Sequence, residues 1–368
     1  MDSDASVYYC ALSRVFAYQC AAGRHLLEAF GSPAAVFSAS RDELSAVLIH
    51  AGSFIDRLLD PALLPWARRE AEWAASYGIR LLGLGAPGYP RRLAECDDAP
   101  LLLYYKGEAD LDAPRTLAVV GTRKATWTGR DACRTILEQL SEMDDKPLIV
   151  SGLALGIDGC AHSAALEYGL PTVGVLPCGL DEIYPRQHRD LARRMLEKGG
   201  LITDFARETS PVAFTFLRRN RIIAGLCDAT LLVESYEKGG GLITASLAQS
   251  YNREVFAVPG RLKDASFAGC NALIARQEAS LVADAQALPL SMGWIPAAGR
   301  SSRKPLIRPD DPPRRQELLR ILRERAPVSM EELFLLTGIP ARELSVELLD
   351  LELAGRVVSD GSFFSLSL

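Results

Sequence analysis

The amino-acid sequence predicts an α/β protein in which a parallel sheet covered by helices lies between a helical N-terminal domain and a C-terminal winged-helix domain. Three observations support this fold class. Apolar residues recur at helical spacing near the N-terminus, short apolar runs alternate with helical stretches in the middle, and three helical segments precede a hairpin at the end. The 368-residue chain is predicted to comprise domains at 1–80 and 81–290, a linker at 291–311 and a domain at 312–368.

The N-terminal domain is predicted to be helical from residue 7 to about residue 78. Breaks are expected at Gly23, at the Gly31-Ser32-Pro33 turn and at Gly52, because glycine and proline disfavour helix interiors. Small helical modules act as DNA-binding hairpins in some proteins and as packing units in more of them. The short motifs found here leave both roles open.

The central domain is predicted to contain a parallel sheet. Short apolar runs that do not alternate, each followed by a helix, are typical of strands buried on both faces. The predicted strands are 117–120, 148–151, 172–176, 230–234 and 255–258, and the predicted helices are 129–143, 158–168, 187–198, 218–225, 242–251 and 269–277. Ligands of such sheets bind beyond the carboxyl ends of the strands, so the loops that follow the strands are expected along one edge.

The last sixty residues are predicted to form a winged helix. Three helices, Arg315–Arg325, Met330–Thr337 and Ala341–Ala354, precede two short strands around the Asp360-Gly361 turn. The second and third helices stand where a helix-turn-helix would place them. Four glutamates on this domain leave protein contact, double-strand sensing and major-groove reading open: Glu331, Glu332, Glu343 and Glu347.

Composition limits the classes of function. The 41 basic and 46 acidic residues give a net charge of −5, so any polyanion site must be a local patch. Apolar runs too short for a bilayer and the acidic start Met1-Asp2-Ser3-Asp4 predict a cytoplasmic protein without membrane insertion. Eight scattered cysteines without a C-x-x-C pair and four histidines without metal-ligand spacing predict reduced, mostly buried thiols and no metal or cofactor.

A short segment of the central domain concentrates aromatic and cationic side chains. Phe214 and Phe216 precede Arg218, Arg219 and Arg221, and an apolar run follows. Guanidinium groups fit phosphate oxygens and aromatic faces accept nucleobases, so the segment suits a nucleic acid where a loop enters the predicted helix. The alternative is an arginine cluster that pairs with nearby carboxylates, and the segment alone does not decide between them.

Three loops that contain glycine follow predicted strands: Gly121–Lys124, Ser151–Asp158 and Lys238–Thr244. Small residues let backbone N–H groups and a helix N-terminus face an anion closely. None of the loops has G-x-G-x-x-G spacing, and the chain has no P-loop motif. The sequence therefore lacks the usual motifs of dinucleotide-dependent oxidoreductases and of P-loop hydrolases. For each loop alone, a tight strand-to-helix turn is the favoured interpretation. Three such loops at one edge of the sheet, one of which carries Arg123, predict a shared phosphate-binding surface.

The sequence offers no evident catalyst. Asp158 and His162 stand four residues apart on one predicted helix face, but Asp158 falls where an N-cap is expected and a single histidine is more often structural. Glu234 ends a predicted strand at the same edge and is the best carboxylate candidate for chemistry. No Ser-His-Asp arrangement in a recognisable context and no metal-ligand cluster occurs. We therefore predict a protein that is not an enzyme.

Several segments of the chain form an ordered set of motifs: Val120–Arg123, Ser151–Asp158 with Ala161-His162, Tyr184-Pro185, Arg219–Leu226, Gly241–Ala245 and Val255–Gly260. Together they resemble the DNA-processing protein A (DprA/Smf) family over about residues 81–288. The resemblance implies an extended Rossmann-like core between an N-terminal domain of SAM-like or helix-hairpin-helix type and a winged helix. It also implies a homodimer that binds single-stranded DNA, protects incoming strands in natural transformation and loads a RecA-type recombinase.

The resemblance also implies the roles of individual residues. Arg123 matches an arginine that contacts phosphate, Phe216 an aromatic on which a base stacks, and Arg219 and Arg221 the arginines of an Arg-Asn-Arg motif. The predicted DNA-binding residues are Arg123, Lys124, Phe216, Arg218, Arg219, Asn220, Arg221, Gly239, Gly240 and Gly241. The departures from the family pattern are Thr122 for serine, Leu217 for proline, His188 for asparagine, Gly240 for serine and Cys178 for a small polar residue.

An enzymatic alternative comes from related Rossmann-like folds, which hydrolyse nucleotide N-glycosidic or phosphoribosyl bonds with an acidic residue near a glycine loop. In this chain Glu234 and Gly239–Gly241 would form such a phosphoribohydrolase site. DNA binding is favoured because Glu234 lacks an evident partner, and because three arginines exceed what one monophosphate needs.

Overall fold

The computed structural model describes residues 3–17, 19–49, 51–295, 311–354, 356–360 and 363–366. The chain divides into two units, Met1–Pro296 and Ala297–Leu368, and each is described by itself. The domain boundaries predicted within these units stay predictions.

Six helices open the first unit: α1 Ser3–Phe16, α2 Cys20–Phe30, α3 Pro33–Ser38, α4 Arg41–Val47, α5 Gly52–Leu58 and α6 Leu63–Ser76. The turn at Gly31-Ser32-Pro33 is confirmed, because Gly31 ends α2 with a left-handed φ of 74° and the Ser32 hydroxyl accepts the Ala35 N–H. The predicted break at Gly23 is wrong. Gly23 lies inside α2, where a Cβ would overlap the side chain of Leu101, so it serves close packing.

A nine-stranded sheet follows, made of β1 Arg80–Gly83, β2 Leu102–Gly107, β3 Thr116–Gly121, β4 Leu148–Gly152, β5 Thr172–Val175, β6 Gly200–Thr203, β7 Ala229–Glu234, β8 Glu254–Ala257 and β9 Ser280–Leu281. The strand order is β1-β2-β6-β5-β4-β3-β7-β8-β9. The pairs from β6 to β9 are parallel, and those of β2 with β1 and β6 are antiparallel. The five predicted strands are confirmed. Three of the four missed strands have four residues or fewer, too short for a periodic pattern.

The connecting helices are α7 Arg91–Ala94, α8 Trp127–Ser141, α9 Ile157–Glu167, α10 Arg189–Met195, α11 Ala213–Gly225, α12 Gly240–Ser250, α13 Ala268–Ala275 and α14 Ala287–Ser291. Short 3-10 turns lie at Arg186–His188 and Ala265–Phe267. Successive residues of β3 point into opposite cores: Leu117 and Val119 join the core under α8 and α9, and Ala118 and Val120 join the core on the other face. The sheet is therefore covered on both faces, as predicted.

The strand order reverses between β3 and β7. The chain runs from β3 outward through β4, β5 and β6 and then returns to place β7 on the other side of β3. Parallel sheets bind ligands at the carboxyl ends of the strands beside such a switch point. A ligand is therefore expected at the loops after β3, β4 and β7.

The second unit is a winged helix with α15 Pro313–Arg325, α16 Met330–Thr337 and α17 Ala341–Leu353, and with strands β10 Val328–Ser329, β11 Val357–Asp360 and β12 Phe363–Leu366. Its sheet has the order β10-β12-β11, which adds one short strand to the predicted hairpin. Two of the four glutamates pair with arginines, since Arg314 lies 3.0 Å from Glu343 and Arg315 lies 2.7 Å from Glu347. The expected acidic face is thus partly neutralised.

Two further findings concern the whole chain. Seven of the eight cysteines are buried and Cys160 is half-buried, as the sequence predicted for most of them. Among the residues described, no helix combines the length and the apolar character that a bilayer span requires.

Candidate nucleic-acid interface

Three loops meet at the carboxyl ends of β3, β4 and β7, and we call them together the carboxyl edge: residues 122–126, 153–156 and 235–239. Backbone hydrogen bonds connect them. The Thr122 N–H donates to the Glu234 carbonyl at 2.8 Å, and the Ile157 N–H donates to the Thr122 carbonyl at 3.1 Å. The prediction that these glycine-containing loops share one edge is confirmed.

Two glycines permit the close approach of these loops. Gly156 has a φ of +84°, and a Cβ there would lie 2.7 Å from the Arg123 Cα. Gly241, in the first turn of α12, would place a Cβ 3.4 Å from the Gly121 Cα. Gly239 is the N-cap of α12, and the space around Gly240 is open. The N-terminus of α12 therefore lies beside β3 and has no side-chain cap among the residues described.

The exposed Arg123 packs on an aromatic ring from a distant part of the chain. Its guanidinium carbon lies 4.5 Å from the centre of the Phe216 ring, a cation–π contact. The Tyr184 ring meets Phe216 edge-on, with 5.6 Å between the ring centres. The structure therefore brings two predicted site residues together and adds Tyr184, which the sequence analysis quoted as a motif residue only.

Helix α11 begins at Ala213, five residues before the predicted start at residue 218. The Thr215 side chain closes this earlier turn by accepting the Val212 N–H at 3.1 Å and donating to the Val212 carbonyl at 2.9 Å. The arginines therefore lie within the helix and not where a loop enters it. At 100° per residue, Phe216, Arg219 and Asn220 share one face of α11 and Arg218 and Arg221 another.

Arg219 lies beneath Phe216, with its guanidinium carbon 6.0 Å from the ring centre. Its Nη1 donates to the Val175 carbonyl at 3.0 Å, and its Nε has no hydrogen-bond partner among the described protein atoms. Burial lowers the pKa of the Arg219 guanidinium, and the nearby Asp158 carboxyl opposes that shift. A Cβ on Gly152 would overlap both Arg219 and Asp158. A buried cation thus supports the floor of the carboxyl edge.

Arg218 and Arg221 face the N-terminal helices. The Arg221 Nη2 lies 2.6 Å from the Asp204 carboxylate, and the Arg218 guanidinium lies 3.1 Å from the same group. Arg221 also donates to the Asp98 carbonyl and to the Cys20 sulfur. Arg219 and Arg221, the two arginines of the predicted Arg-Asn-Arg motif, therefore lie on different faces of α11 and do not share one contact surface. For Arg218 and Arg221 the structure shows the carboxylate pairing that the sequence left open.

Two further cations and an exposed ring lie after β3. Lys124 is exposed, and its N–H donates to the Thr122 hydroxyl at 3.1 Å. Trp127, the first residue of α8, is 71% exposed, and Arg130 follows on the exposed side of the same helix. Trp127 was not predicted from the sequence, because only its exposure distinguishes it from a core aromatic.

The carboxylate and histidine candidates for catalysis are buried. Glu234 has no exposed surface, and its Oε2 accepts the Thr126 N–H at 2.9 Å. His162 lies between the Thr172 hydroxyl at 2.7 Å and the Gly152 carbonyl at 3.2 Å, and burial lowers its pKa to about 4. The N-cap of α9 is Gly156, so the expectation that Asp158 caps this helix is wrong. Burial raises the pKa of the Asp158 carboxyl, and Arg219 opposes that rise.

The chain combines a mostly parallel Rossmann-like sheet with a winged helix, which is the architecture of the DNA recombination-mediator proteins that the family models describe. Residues 80–292 match the family model described as DNA recombination-mediator protein A, and residues 302–361 match the DprA winged helix domain. The chain belongs to the DprA/Smf family.

Curated relatives and solved structures agree with this assignment. Protein Smf of Escherichia coli is 36% identical over 296 residues, which cover 78% of this chain and 77% of that protein. DNA processing protein DprA of Streptococcus pneumoniae is 39% identical over 198 residues, 54% of this chain and 69% of that protein. A solved DprA structure from Streptococcus pneumoniae has a TM-score of 0.56 and 32% identity, covering 68% of this chain and 90% of that one.

A solved structure from Helicobacter pylori has a TM-score of 0.53 and 28% identity. The match covers 58% of this chain and 96% of that one. Its description concerns the single-stranded DNA binding mode of DNA processing protein A.

Proposed function

We propose that this protein binds single-stranded DNA at the carboxyl edge and serves DNA recombination during natural transformation. The observation that carries the proposal is the exposed Arg123 packed on Phe216 beside the bare N-terminus of α12. The Helicobacter pylori relative, whose structure is described for its single-stranded DNA binding, supports it.

Each group at the carboxyl edge, and each group that packs beside it from α11, α12 and Tyr184, has a task in this proposal. In the proposed complex Arg123 moves from the face of Phe216 to a phosphate, so that Phe216 and Tyr184 offer ring faces to an unstacked base, and Lys124 contacts a neighbouring phosphate. The N–H groups of Gly239–Gly241 receive a further phosphate at the start of α12. Asn220 offers an amide from the Phe216 face of α11.

Three arginines of α11 that do not contact DNA in this proposal stabilise the carboxyl edge. Arg219 adds positive charge from below Phe216, where little water screens it. Arg218 and Arg221 fix α11 through Asp204, so the direct DNA contacts predicted for them are replaced by a supporting role in this proposal.

Single strands are favoured over duplex for a physical reason. A ring can stack only on a base whose face is uncovered, and duplex bases already stack on their neighbours. The net charge of −5 gives the chain no general attraction for phosphates, so affinity depends on this edge.

Replacing Arg123 with alanine tests the site. We expect single-strand affinity to fall about tenfold or more, and the slope of log affinity against log salt to decrease by roughly 0.7, because one phosphate contact is lost. The matched control is Arg91→Ala. Arg91 has 82% of its side chain exposed. It lies at the opposite edge of the sheet from the proposed site, because its neighbour Arg92 pairs with Asp228, the residue before β7. Equal affinities of the two variants in a fluorescence titration would refute the site.

The recombinase and dimer partners are part of the same proposal. We infer a cytoplasmic homodimer that protects incoming strands and loads a RecA-type recombinase, which rests on membership of the DprA/Smf family. Static light scattering tests the dimer. The rate at which a RecA-type recombinase coats single strands, with and without this protein, tests loading.

The phosphoribohydrolase alternative is not favoured. Glu234 is fully buried and accepts a backbone hydrogen bond from Thr126, so a substrate at the edge would not reach it without rearrangement. Incubation with nucleoside monophosphates is expected to release no free base. Turnover that is lost in Glu234→Gln would overturn the binding-only proposal.

A further inference from the structure

Two cysteines of adjacent helices lie together outside the carboxyl edge. Cys133 of α8 is fully buried in the core under α8 and α9, and Cys160 of α9 is half-buried at the margin of that core. The Cys160 Sγ lies 3.7 Å from the carbonyl of Arg130, one turn before Cys133 on α8. Arg130 and Cys133 lie three residues apart on one face of α8, so this contact places Cys160 beside Cys133.

The surroundings make one thiol of the pair reactive. The Cys133 thiol and the guanidinium groups of Arg130 and Arg134 lower the pKa of Cys160 to about 7, against the effect of burial. A large fraction of Cys160 is therefore thiolate at neutral pH, and the thiolate is the nucleophile. The contact with Cys160 and burial raise the pKa of Cys133.

Other cysteines differ from this pair. Burial raises the pKa of Cys10, Cys178 and Cys270 to about 12 and that of Cys96 to about 11. These thiols stay protonated at neutral pH and react slowly. Cys160 combines partial exposure, a neighbouring thiol and flanking cations, and none of these four cysteines does.

We propose that Cys133 and Cys160 form an oxidation-sensitive dithiol that closes to a disulfide between α8 and α9. The Cys160 thiolate attacks a hydroperoxide, the O–O bond breaks, an alcohol or water leaves, and a sulfenic acid forms on Cys160. The Cys133 sulfur then attacks the Cys160 sulfur, the S–S bond forms, and water leaves with the proton of Cys133. Two thiols and one hydroperoxide thus give one disulfide, one alcohol or water from the peroxide, and one water.

The position of the pair gives the disulfide a structural consequence. Helix α8 follows the loop that carries Arg123, and α9 follows the loop that ends at Gly156. A bond between Cys133 and Cys160 would join these two helices covalently. Disulfide formation does not require DNA binding, since the two thiols and their neighbours lie outside the carboxyl edge.

The test uses the reduced full chain treated with hydrogen peroxide at neutral pH, followed by alkylation and peptide mapping by mass spectrometry. We expect a linked pair of peptides that contains Cys133 and Cys160, formed before any other cysteine is oxidised. In Cys133→Ala, the reaction is expected to stop at a sulfenic acid on Cys160, which a dimedone reagent traps. The matched control Cys178→Ser is expected to retain the disulfide.

A thiol-specific readout keeps the proposal testable even if a variant unfolds. The rate of iodoacetamide alkylation of wild-type Cys160 is expected to rise with a midpoint near pH 7. First oxidation at another cysteine, or direct conversion of Cys160 to sulfinic acid without a linked peptide, would overturn the proposal.

Discussion

At the scale of single residues, neighbouring arginines of α11 have different tasks. Arg219 lies under the exposed Arg123–Phe216 contact, whereas Arg218 and Arg221 pair with Asp204 on another face of the helix. Sequence adjacency cannot separate these roles, because a helix turns successive side chains by about 100°. The helical face decides which guanidinium supports a ligand site and which holds the helix in place.

Arg221→Ala is expected to destabilise the protein by about 1.5–3 kcal/mol, because it removes charged hydrogen bonds to a buried carboxylate. Urea denaturation measures the loss, and the exposed Arg91→Ala serves as the control with little change. The folded variant is expected to keep its single-strand affinity. Unchanged stability together with lost affinity would contradict the assignment of the two faces.

The burial of His162 predicts a pH dependence of stability. Its pKa falls from 6.5 to about 4 in the folded protein, so the unfolded chain binds a proton more readily between these values. The unfolding free energy is therefore expected to decrease as pH falls from about 6.5 to 4, by about 3 kcal/mol from this group. Denaturation curves across that range measure it, and His162→Gln should show a weaker dependence. Identical pH profiles would contradict this account.

At the scale of elements, the glycines after the strands decide how closely the loops approach. Gly152 ends β4 where any side chain would meet Arg219 and Asp158. Gly152→Ala is expected to cost about 1–3 kcal/mol of stability, because the buried arginine must move. Thermal unfolding measures the cost. Gly240→Ala is the control for stability, since nothing lies within 4 Å of a Cβ there, and equal stabilities of the two variants would contradict the packing.

The elements also show what the sequence could predict. Buried apolar runs located β3, β4, β5, β7 and β8, and the glycine-containing loops after β3, β4 and β7 meet at one edge as expected. The start of α11 was missed, because it depends on one hydroxyl of Thr215 that closes a turn with Val212. The burial of Glu234 was not predicted either. A strand pattern does not show that its carboxylate accepts a hydrogen bond from Thr126 at the start of α8.

At the scale of the whole molecule, the proposed function requires an acidic chain to concentrate its affinity for DNA in one small region. The net charge of −5 opposes binding over the surface, and the carboxyl edge places exposed cations beside the edge-on ring pair Tyr184–Phe216. The winged helix forms a separate unit, in which two of the five arginines of α15, Arg314 and Arg315, pair with glutamates of α17. Strong binding is therefore expected from the first unit, with a preference for unstacked bases.

The most direct test of this central claim is a fluorescence titration of the full chain with single-stranded and double-stranded DNA of one sequence, repeated across salt concentrations. The account predicts tighter binding of the single strand at each salt concentration, and a loss of that preference in Arg123→Ala. Equal affinity for both forms of DNA, or a preference that Arg123→Ala retains in full, would contradict it.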